Sequence, residues 1–475
     1  MRKSIFLITL LLISGLIIGV NGAVISNQND YINFDKIYGN EYYLNSVDVT
    51  EHLEGNFTDS GVITPWLSLN GDNRTSWPTG GSGAVGAGTF DYYMNKTGSN
   101  YNCYDKDWNL DYSNSDFGTA FNWVMDTIVE DGIVCIQGGI TYSYAVQPWV
   151  NGTGSGLAKN IEIVGVGGGN WPILSPTGDN IHGLRVSGGA NLHLHQINFA
   201  MKTTGTSGSA IYGTNAGGNA YDENALFMSK IGDIKITGGT SGVDLIYLED
   251  TEWVEYYGQI YINGASGTNG FHSKITSGAQ YHYGSNLISG QMYISLTGDN
   301  TYGIWLQGYN DTLSHMNFRC TGRLWVVNDV SDDNVTGLIM YRCAGSEIDG
   351  FMTERCTKAL VMTYCKSCVI SAGGLTHLPR ITAPSNLADA TFFDLDGTGN
   401  YANTLENIKV TYTGSGTYYI LNITQTDANA PNMISNWTFH LTGGTFLSNI
   451  STQTYECEDF GSGRWYRKLG TGTYP

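Results

Sequence analysis

A short pattern that begins with Gly or Ala recurs along the middle of this 475-residue chain and limits the folds that it can adopt. In each copy the small residue precedes two core-type residues that alternate with variable ones, as burial on one face of a β-strand requires. Repeated short strands without intervening helices predict a solenoid rather than a sandwich. The copies, which recur every 22 to 34 residues, are Gly183-Leu184-Arg185-Val186, Gly208-Ser209-Ala210-Ile211, Gly242-Val243-Asp244-Leu245, Gly270-Phe271-His272-Ser273, Gly303-Ile304-Trp305-Leu306, Gly337-Leu338-Ile339-Met340 and Ala359-Leu360-Val361-Met362.

A second strand motif follows within most of these repeats and often ends in Gly. Its copies are Ile234-x-Ile236, Ile260-x-Ile262, Met292-x-Ile294, Met316-x-Phe318, Ile408-x-Val410 and Trp437-x-Phe439. The sharpest repetition joins residues 338–348 to residues 360–370, where Leu, Met, Cys and Ile recur at a constant offset of 22. This offset predicts that Cys343 lies directly beside Cys365 in the neighbouring repeat.

A helix is predicted before the first repeat because apolar residues recur there at helical spacing. They are Phe117, Phe121, Val124 and Ile128. Asp116 can cap the start of this helix and Gly132 can terminate it. A solenoid has unpaired strand edges at its ends, so we expect the apolar face of the helix to cover the first repeat.

The helix followed by Gly-containing strands in residues 116–142, together with the Gly-anchored repeats, resembles the pectate-lyase-like superfamily over about residues 116–450. This resemblance implies an all-β fold, a right-handed parallel β-helix solenoid with an N-terminal capping helix. It does not imply one activity, because the scaffold occurs in polysaccharide lyases, glycoside hydrolases, phage tailspikes and adhesins. The chain has neither the Arg-x-Pro-x-x-Arg run of classical pectate lyases nor the ordered motif set of polygalacturonases.

The first residues have the layout of a secretory signal, because Arg2 and Lys3 precede an apolar run and then small and polar residues. An uncleaved anchor is the alternative, although the apolar run is shorter than a usual spanning helix. We therefore expect a secreted, extracellular or cell-surface protein with no membrane span after signal cleavage. The predicted organisation is a signal peptide at 1–22, an N-terminal arm or small β module at 23–115, the parallel β-helix at 116–450 and a C-terminal tail at 451–475.

The charge balance restricts the partners. Asp and Glu number 42 against 23 Lys and Arg, which gives a formal charge of −19. Because nucleic-acid binders neutralise phosphates with Lys and Arg, we expect no nucleic-acid partner. The partners that remain are an extracellular or surface polysaccharide and, in a homo-oligomer, a second copy of the chain that residues 24–115 can reach as an assembly arm.

Export predicts glycosylation and disulfide formation. Nine Asn-x-Ser/Thr sites are the expected glycosylation positions. They are Asn56, Asn73, Asn95, Asn151, Asn310, Asn334, Asn422, Asn436 and Asn449. Eight cysteines, an even number, can pair in an oxidising compartment, although sequence alone does not choose among the connectivities.

Repeat alignment suggests three disulfides. Cys343 aligns with Cys365, and the match of residues 315–320 to residues 351–356 aligns Cys320 with Cys356. Cys103 and Cys135 can tie the arm to the first repeat, which leaves Cys368 and Cys457. A redox or catalytic thiol is the weaker interpretation, because no neighbouring group that stabilises a thiolate is implied.

Outward positions of the Gly-anchored strands form the candidate binding strip, since the interior of a solenoid is packed. They are Arg185, Asp244, His272, Trp305, Ile339 and Val361, followed by Ser187, Ile246, Lys274, Gln307 and Tyr341. We expect a carbohydrate to contact the ligand-binding candidates Arg185, Trp305, Gln307 and Tyr341. Trp305 would stack on a sugar ring.

A lyase would use the same strip for catalysis. Asp244, with Glu249 and Asp250, would hold Ca²⁺ against a uronate carboxylate, while Lys274 or His272 abstracts the adjacent proton. Ordinary solvated side chains explain the strip more simply. We therefore favour a structural or recognition role, adhesin-like and carbohydrate-binding, over an extracellular polysaccharide lyase or glycoside hydrolase acting on an acidic glycan. A tailspike-like viral protein ranks third, since the signal sequence argues against it.

Two further patterns suggest metal sites weakly. His193 and His195 alternate on one strand and should leave the same face, but two imidazoles are too few for a structural zinc site. Asp394 and Asp396 place oxygen ligands around a tight turn, as a calcium loop does, but the bidentate Glu of an EF-hand is missing. Partner-satisfied histidines and a plain Asp-Gly turn are the simpler interpretations.

Overall fold

A computed structural model describes residues 90–407, except for 130, 152–159, 168–169, 189, 215–225, 278–283, 330–333, 372–379, 382–390, 396–399 and 401. Outside this range, and at 380–381 and 391–393, it describes only strand backbones. The chain forms two compact units, Met1–Gly81 and Ser82–Pro475. This division differs from the expected one at residue 115, because strands in residues 92–114 belong to the second unit. The predicted signal segment at 1–22 lies outside the described residues.

In the strands described within the first unit, three antiparallel pairs form. They are β1 (Ala23–Ile25) with β2 (Ile32–Phe34), β3 (Tyr43–Leu44) with β4 (Val47–Asp48), and β5 (Phe57–Thr58) with β6 (Gly61–Val62).

The second unit opens with an antiparallel meander that leads into a helix. The meander comprises β7 (Tyr92–Thr97), β8 (Asn100–Asp105) and β9 (Leu110–Asn114), and the helix is α1 (Phe117–Thr127). β7 also pairs in parallel with the next strand, β10 (Asp131–Gln137), so the meander is continuous with the parallel structure that follows.

Helix α1 confirms the predicted cap and apolar face. The Asp116 carboxylate accepts a hydrogen bond from the Thr119 N–H at 2.9 Å, which satisfies one of the free donors of the first turn. The four predicted face residues are buried, and the ring of Phe117 packs on those of Tyr142 and Tyr144. Gly132 does not end the helix, because Ile128 is already extended and Gly132 lies within β10.

The rest of the second unit is β-structure. Its next strands are β11 (Thr141–Tyr144), β12 (Trp149–Asn151), β13 (Asn160–Val166), β14 (Ile173–Pro176), β15 (Leu184–Ser187), β16 (Asn191–Ala200), β17 (Ile211–Thr214), β18 (Lys230–Gly238), β19 (Asp244–Glu249), β20 (Glu255–Gly264), β21 (Asn269–Lys274), β22 (Leu287–Ile288), β23 (Gln291–Leu296) and β24 (Thr301–Gln307). They continue with β25 (His315–Met316), β26 (Arg319–Cys320), β27 (Arg323–Asn328), β28 (Val335–Tyr341), β29 (Cys343–Ala344), β30 (Glu347–Ile348), β31 (Phe351–Glu354), β32 (Lys358–Thr363) and β33 (Val369–Ser371). The last are β34 (Arg380–Ile381), β35 (Thr391–Leu395), β36 (Thr404–Glu406), β37 (Lys409–Thr413), β38 (Thr417–Ile423), β39 (Met433–Ser435), β40 (Thr438–Thr442), β41 (Thr445–Ile450), β42 (Cys457–Glu458) and β43 (Gly472–Tyr474).

Two long sheets, whose strands alternate along the chain, organise this unit. Sheet 1 includes β10, β13, β16, β18, β20, β23, β27 and β31, and sheet 2 runs through β12, β15, β17, β19, β21, β24, β28, β32, β35, β38 and β41. Within these two series each strand pairs in parallel with the corresponding strand of the next repeat. β43 closes sheet 2 as an antiparallel strand.

The register of sheet 2 confirms the predicted column of core residues. Phe271, Ile304, Leu338 and Leu360 stand side by side on successive strands, and all are fully buried. The last two are 22 residues apart, as predicted, so a repeat can contain as few as 22 residues.

For two copies of the predicted pattern, the alignment expected from the glycines differs from the observed strand register. Ile211 pairs with Leu184, so Ala210 rather than Gly208 takes the position of the anchoring glycine. Ile246 pairs with Phe271, which removes Gly242 from the anchor position in the same way. Ile246 was expected to face outward but is fully buried, because the apolar side chains rather than the glycines fix which residues face the core.

Sheet 1 confirms the second motif in part. Ile234, Ile260 and Met292 form one column, as predicted. The column continues with Leu324 rather than with Met316, which lies in the short separate strand β25. The pairing of Val410 with Phe439 also agrees with the repeat, although their strands β37 and β40 form a separate sheet with β34.

The described cysteines are buried thiols and form no disulfide. An isolated bridge pairs Ala344 with Lys366, which confirms that Cys343 and Cys365 are neighbours. Cys457 lies outside the residues whose side chains are described.

Two expected cysteine pairings are wrong. Cys320 pairs with Ile348 and not with Cys356, because residues 315–320 stack on residues 343–348. Cys103 is in register with Met94, whereas Cys135 is in register with the preceding residue, Tyr93, so the two thiols leave opposite faces of the sheet.

Within the described part of the chain, no helix is long and apolar enough to cross a membrane.

Candidate functional site

A row of aromatic side chains runs along sheet 2 and its flanking loop. Its members, called here the ring ladder, are His182, Tyr212, Tyr247, His272 and Trp305. Successive ring centroids lie 3.9, 5.5, 5.2 and 4.5 Å apart. All of these contacts are face-to-face stacks except the edge-on contact between Tyr247 and His272. Much of the aromatic surface therefore lies against neighbouring rings.

The register explains the ladder. Tyr212, Tyr247, His272 and Trp305 occupy equivalent positions on β17, β19, β21 and β24. Equivalent positions on adjacent parallel strands place side chains about 4.8 Å apart on one face, which is within stacking distance. On the preceding strand of sheet 2, β15, the equivalent position is occupied by the exposed Arg185.

Asp244 is the centre of a hydrogen-bond network that contacts this ladder at His272. Its Oδ2 lies 2.9 Å from His272 Nδ1, and its Oδ1 accepts from Asn269 Nδ2 at 2.9 Å and from the hydroxyl of Tyr302. Burial, followed by the charge of Asp244, raises the pKa of Tyr302 well above its usual value. Tyr302 therefore remains a hydrogen-bond donor at neutral pH.

The other ring nitrogen of His272 is also engaged. His272 Nε2 lies 2.9 Å from Gln307 Oε1. The His272 side chain is only 7% exposed, and one of its faces is covered by Trp305. The imidazole is thus fixed in orientation and has no ring nitrogen directed at solvent.

A second polar cluster lies on the next positions of the same strands. The Tyr247 hydroxyl donates to Glu249 Oε1 at 2.6 Å, and Lys274 Nζ lies 3.4 Å from that hydroxyl and 3.7 Å from Glu249 Oε1. Burial, and next the hydrogen bond to Glu249, raise the pKa of Tyr247. Lys274 is about one-third exposed, so the cluster borders solvent.

The structure brings together only part of the expected catalytic set. Asp244 and His272 are in contact, whereas Lys274 belongs to the second cluster. The three carboxylates proposed to hold Ca²⁺ do not converge, because Asp250 accepts from the Thr276 N–H at 2.7 Å and Glu249 faces Tyr247. In the described region they are not among the side-chain groups with metal-ligand spacing.

The expected ligand-binding residues differ in accessibility. Arg185 is exposed and Gln307 borders the network through His272. Tyr341 lies beneath the guanidinium of Arg342, 5.3 Å from its ring centroid. Trp305 was expected to stack on a sugar ring, but His272 already occupies one of its faces.

Sequence reasoning missed Tyr212, Tyr247, Asn269 and Tyr302. The two ladder tyrosines were missed because the repeats containing Gly208 and Gly242 were aligned out of register. A search that aligned buried apolar residues instead of glycines would have placed Tyr212 and Tyr247 beside His272.

The weaker metal candidates have partners within the chain. Asp394 Oδ2 lies 2.8 Å from Lys358 Nζ, a cation already in place, and Asp396 lies outside the described residues. His193 and His195 leave the same face, as predicted, with ring centroids 4.5 Å apart.

The sequons whose side chains are described reach the surface to different degrees. Asn151 is exposed, and Asn95, Asn310 and Asn334 are partly exposed. The remaining five lie outside the described side chains: Asn56, Asn73, Asn422, Asn436 and Asn449.

Comparisons with protein families, with curated proteins and with solved structures found no match.

Proposed function

We propose that the chain is a secreted or cell-surface right-handed parallel β-helix of the pectate-lyase-like kind, which recognises carbohydrate on the outward face of sheet 2. The alternation of strands between two parallel sheets supports the solenoid, because each crossover returns the chain to the neighbouring strand. Right-handedness follows from the strong preference of parallel crossovers for that hand. The signal-like N-terminus and the sequons support export.

The ring ladder is the observation that carries the proposed recognition function. It fixes hydroxyl, amide and cationic groups on successive strands, among them those of Tyr212, Tyr247, Lys274 and Gln307. Strands about 4.8 Å apart repeat these groups at a spacing similar to that of the hydroxyls along an extended glycan. A surface that is already ordered loses little conformational entropy on binding.

Recognition agrees better with the geometry than catalysis does. A general base must reach the proton that it removes. His272 directs both nitrogens at Asp244 and Gln307, and Lys274 is held by Glu249 and Tyr247. These groups contact each other rather than a shared open position.

The test is glycan binding by the purified mature chain, measured against neutral and acidic polysaccharides. Tyr212→Phe combined with Tyr247→Phe keeps both rings and removes both hydroxyls. We expect this variant to bind at least about tenfold more weakly, since the ligand loses the Tyr212 hydroxyl and the Tyr247 hydroxyl no longer positions Glu249 and Lys274. The matched control is Tyr261→Phe with Tyr293→Phe, a stacked tyrosine pair on sheet 1 with centroids 5.1 Å apart.

Binding that is lost in the sheet 2 variant and retained in the sheet 1 variant supports the proposal. Wild-type protein that binds no polysaccharide, or a sheet 2 variant that binds as well as wild type, overturns it. Circular dichroism of both double variants checks that the fold is intact.

An extracellular lyase or hydrolase is the second candidate, because Asp244 orients His272 at 2.9 Å as a catalytic carboxylate–imidazole pair would. Incubation with acidic polysaccharides, followed by assays for reducing ends and unsaturated products, distinguishes the two functions. Product formation that disappears in Asp244→Asn and Lys274→Ala establishes the enzyme. Binding without product establishes recognition.

A further inference from the structure

A histidine–carboxylate cluster lies on sheet 1, away from the ring ladder. Glu162 on β13 and His193 and His195 on β16 place one ligand atom each within 4.8 Å of the others. Among the described residues, this is the group of three or more His, Cys, Asp or Glu side chains that has metal-ligand spacing. All three residues are partly exposed, so an ion in solution can reach them.

The strand register assembles the cluster. Glu162 pairs directly with His193, and His195 follows two positions later on the same face. On the next strand Gly232 stands opposite His195. Because glycine has no side chain, nothing separates the imidazole of His195 from the residue on the following strand, Tyr257. A Cβ at Gly232 would lie 2.7 Å from the ring of Tyr257, so that ring occupies the space over the glycine.

Both imidazoles place a ring nitrogen near one oxygen, and His195 hydrogen-bonds it. His195 Nε2 lies 2.9 Å and His193 Nδ1 lies 3.8 Å from Glu162 Oε1. The opposite nitrogen of His193, Nε2, lies 2.9 Å from the Tyr257 hydroxyl. A metal-binding imidazole usually has such a partner on its second nitrogen, which fixes the ring and its tautomer.

We propose that Glu162, His193 and His195 bind one divalent transition-metal ion of the zinc type. Two imidazoles and one carboxylate are a recognised three-ligand set for Zn²⁺, which leaves a fourth position open. Zn–N and Zn–O bonds of roughly 2.0–2.2 Å place ligand atoms roughly 3.4 Å apart on a tetrahedral ion. The cluster therefore needs only side-chain adjustment to enclose the ion.

The surroundings provide room for the open position. A surface depression of about 230 Å³ borders the cluster and is lined by Glu162 and His193 together with Asp131, Asn160 and Asn191. Its polar groups can hydrogen-bond a water molecule or small ligand on the ion. Imidazole ligands favour Zn²⁺ and neighbouring transition metals over Ca²⁺, so this site is chemically different from the calcium site expected of a lyase.

The test is Zn²⁺ titration of the untagged, metal-free chain by calorimetry, with Co²⁺ absorption as the report on coordination. Glu162→Gln and His195→Ala each remove one ligand. The matched control is Glu347→Gln, because Glu347 is an exposed glutamate paired with Arg319 on another part of the chain. Circular dichroism and the melting temperature of each variant confirm folding before titration.

We expect one Zn²⁺ per chain, a tetrahedral-type Co²⁺ spectrum without thiolate charge-transfer bands, and affinity weakened at least about tenfold in each ligand variant. Glu347→Gln should bind as wild type does. No saturable Zn²⁺ binding by folded wild type, or undiminished binding by both ligand variants, overturns the proposal. Co²⁺–thiolate bands would also overturn it, because they would assign the ion to cysteines.

Discussion

His272 Nδ1 lies 2.9 Å from Asp244 Oδ2 although the two residues occupy different positions in the strand register. Asp244 stands opposite Asn269, while His272 stands opposite Tyr247. The contact therefore runs diagonally between neighbouring strands and links the polar network to the ring ladder. Tyr302 closes the same network from the following strand.

We predict that Asp244→Asn destabilises the fold. The substitution removes a charged acceptor from the donors of Asn269, Tyr302 and His272, and the Asp244 side chain is only 16% exposed. A buried donor that loses a charged partner costs about 1.5–3 kcal/mol, so we expect the free energy of unfolding to fall by about 2–4 kcal/mol. Urea unfolding followed by tryptophan fluorescence measures this change.

The matched control for Asp244→Asn is Asp179→Asn. Asp179 is 62% exposed and pairs with Lys202 in solvent, where ion pairs contribute little. We expect a much smaller change there. Equal unfolding free energies for Asp244→Asn and wild type would contradict a stabilising role for the network.

The buried thiols should be unreactive in the native chain. Burial raises the pKa of Cys103 and of Cys356 to about 12, and the thiolate is the reactive form. We expect slow alkylation by iodoacetamide at neutral pH and rapid alkylation in urea. Mass spectrometry of labelled peptides measures both, and prompt native labelling of either cysteine would contradict its burial in the core.

Two histidines should make stability depend on pH. Burial lowers the pKa of His315 to about 3, and burial followed by the charge of Arg185 lowers the pKa of His182 to about 4. Both pKa values lie below the usual 6.5 of an unfolded histidine, so between these limits the unfolded state binds more protons. Stability is therefore greatest above about pH 6.5 and decreases as the pH falls, by up to about 1.4 kcal/mol per pH unit for each histidine.

In the window from pH 6.5 to about 4.5 most carboxylates remain ionised, so histidines dominate the slope, including His193, whose pKa burial also lowers. Urea unfolding at several pH values measures the slope. His315→Gln removes one titrating group and should therefore flatten the slope by up to one proton. Glutamine is chosen because Ser273, which lies 2.8 Å from His315, gives a polar side chain a partner. An unchanged slope would show that His315 is not protonated on unfolding.

The fold was predictable where apolar residues repeat at a fixed position. The column from Phe271 to Leu360 and the buried face of α1 follow from burial alone, which depends on the period of the local sequence. The register of the repeats beginning at Gly208 and Gly242 was not predictable from glycines, because Ala210 and Leu245 can take the same place. The register determines which polar residues are neighbours. The wrong alignment of these two repeats therefore also gave wrong neighbours in the site.

Some residues of the site were predictable one by one, but their contacts were not. Asp244, His272 and Gln307 were identified from their outward positions, and they do lie in one network. Tyr302 and Asn269 complete the network through side chains that reach across strands. Such diagonal contacts depend on rotamers and strand offsets, which the period of a sequence does not specify.

The glycine that precedes each core residue in the column of sheet 2 gives the sharpest test of the register. A Cβ added to Gly303 would lie 2.5 Å from both methyl groups of Val326 and 2.7 Å from the carbonyl oxygen of Gly337. These contacts are far inside van der Waals distance and involve both a buried branched side chain and backbone. We predict that Gly303→Ala lowers the free energy of unfolding by about 1–3 kcal/mol, as overpacking of a filled core does.

Ala359 provides the matched control, because it stands beside Gly337 at the same position of the next repeat, where a methyl group is already accommodated. Ala359→Gly should cost about 1 kcal/mol, through the greater freedom of glycine in the unfolded chain and the loss of one buried methyl group. Chemical unfolding of the two variants in parallel measures the difference. If Gly303→Ala were no more destabilising than Ala359→Gly, Gly303 would not face Val326, and the alignment of these repeats would be wrong.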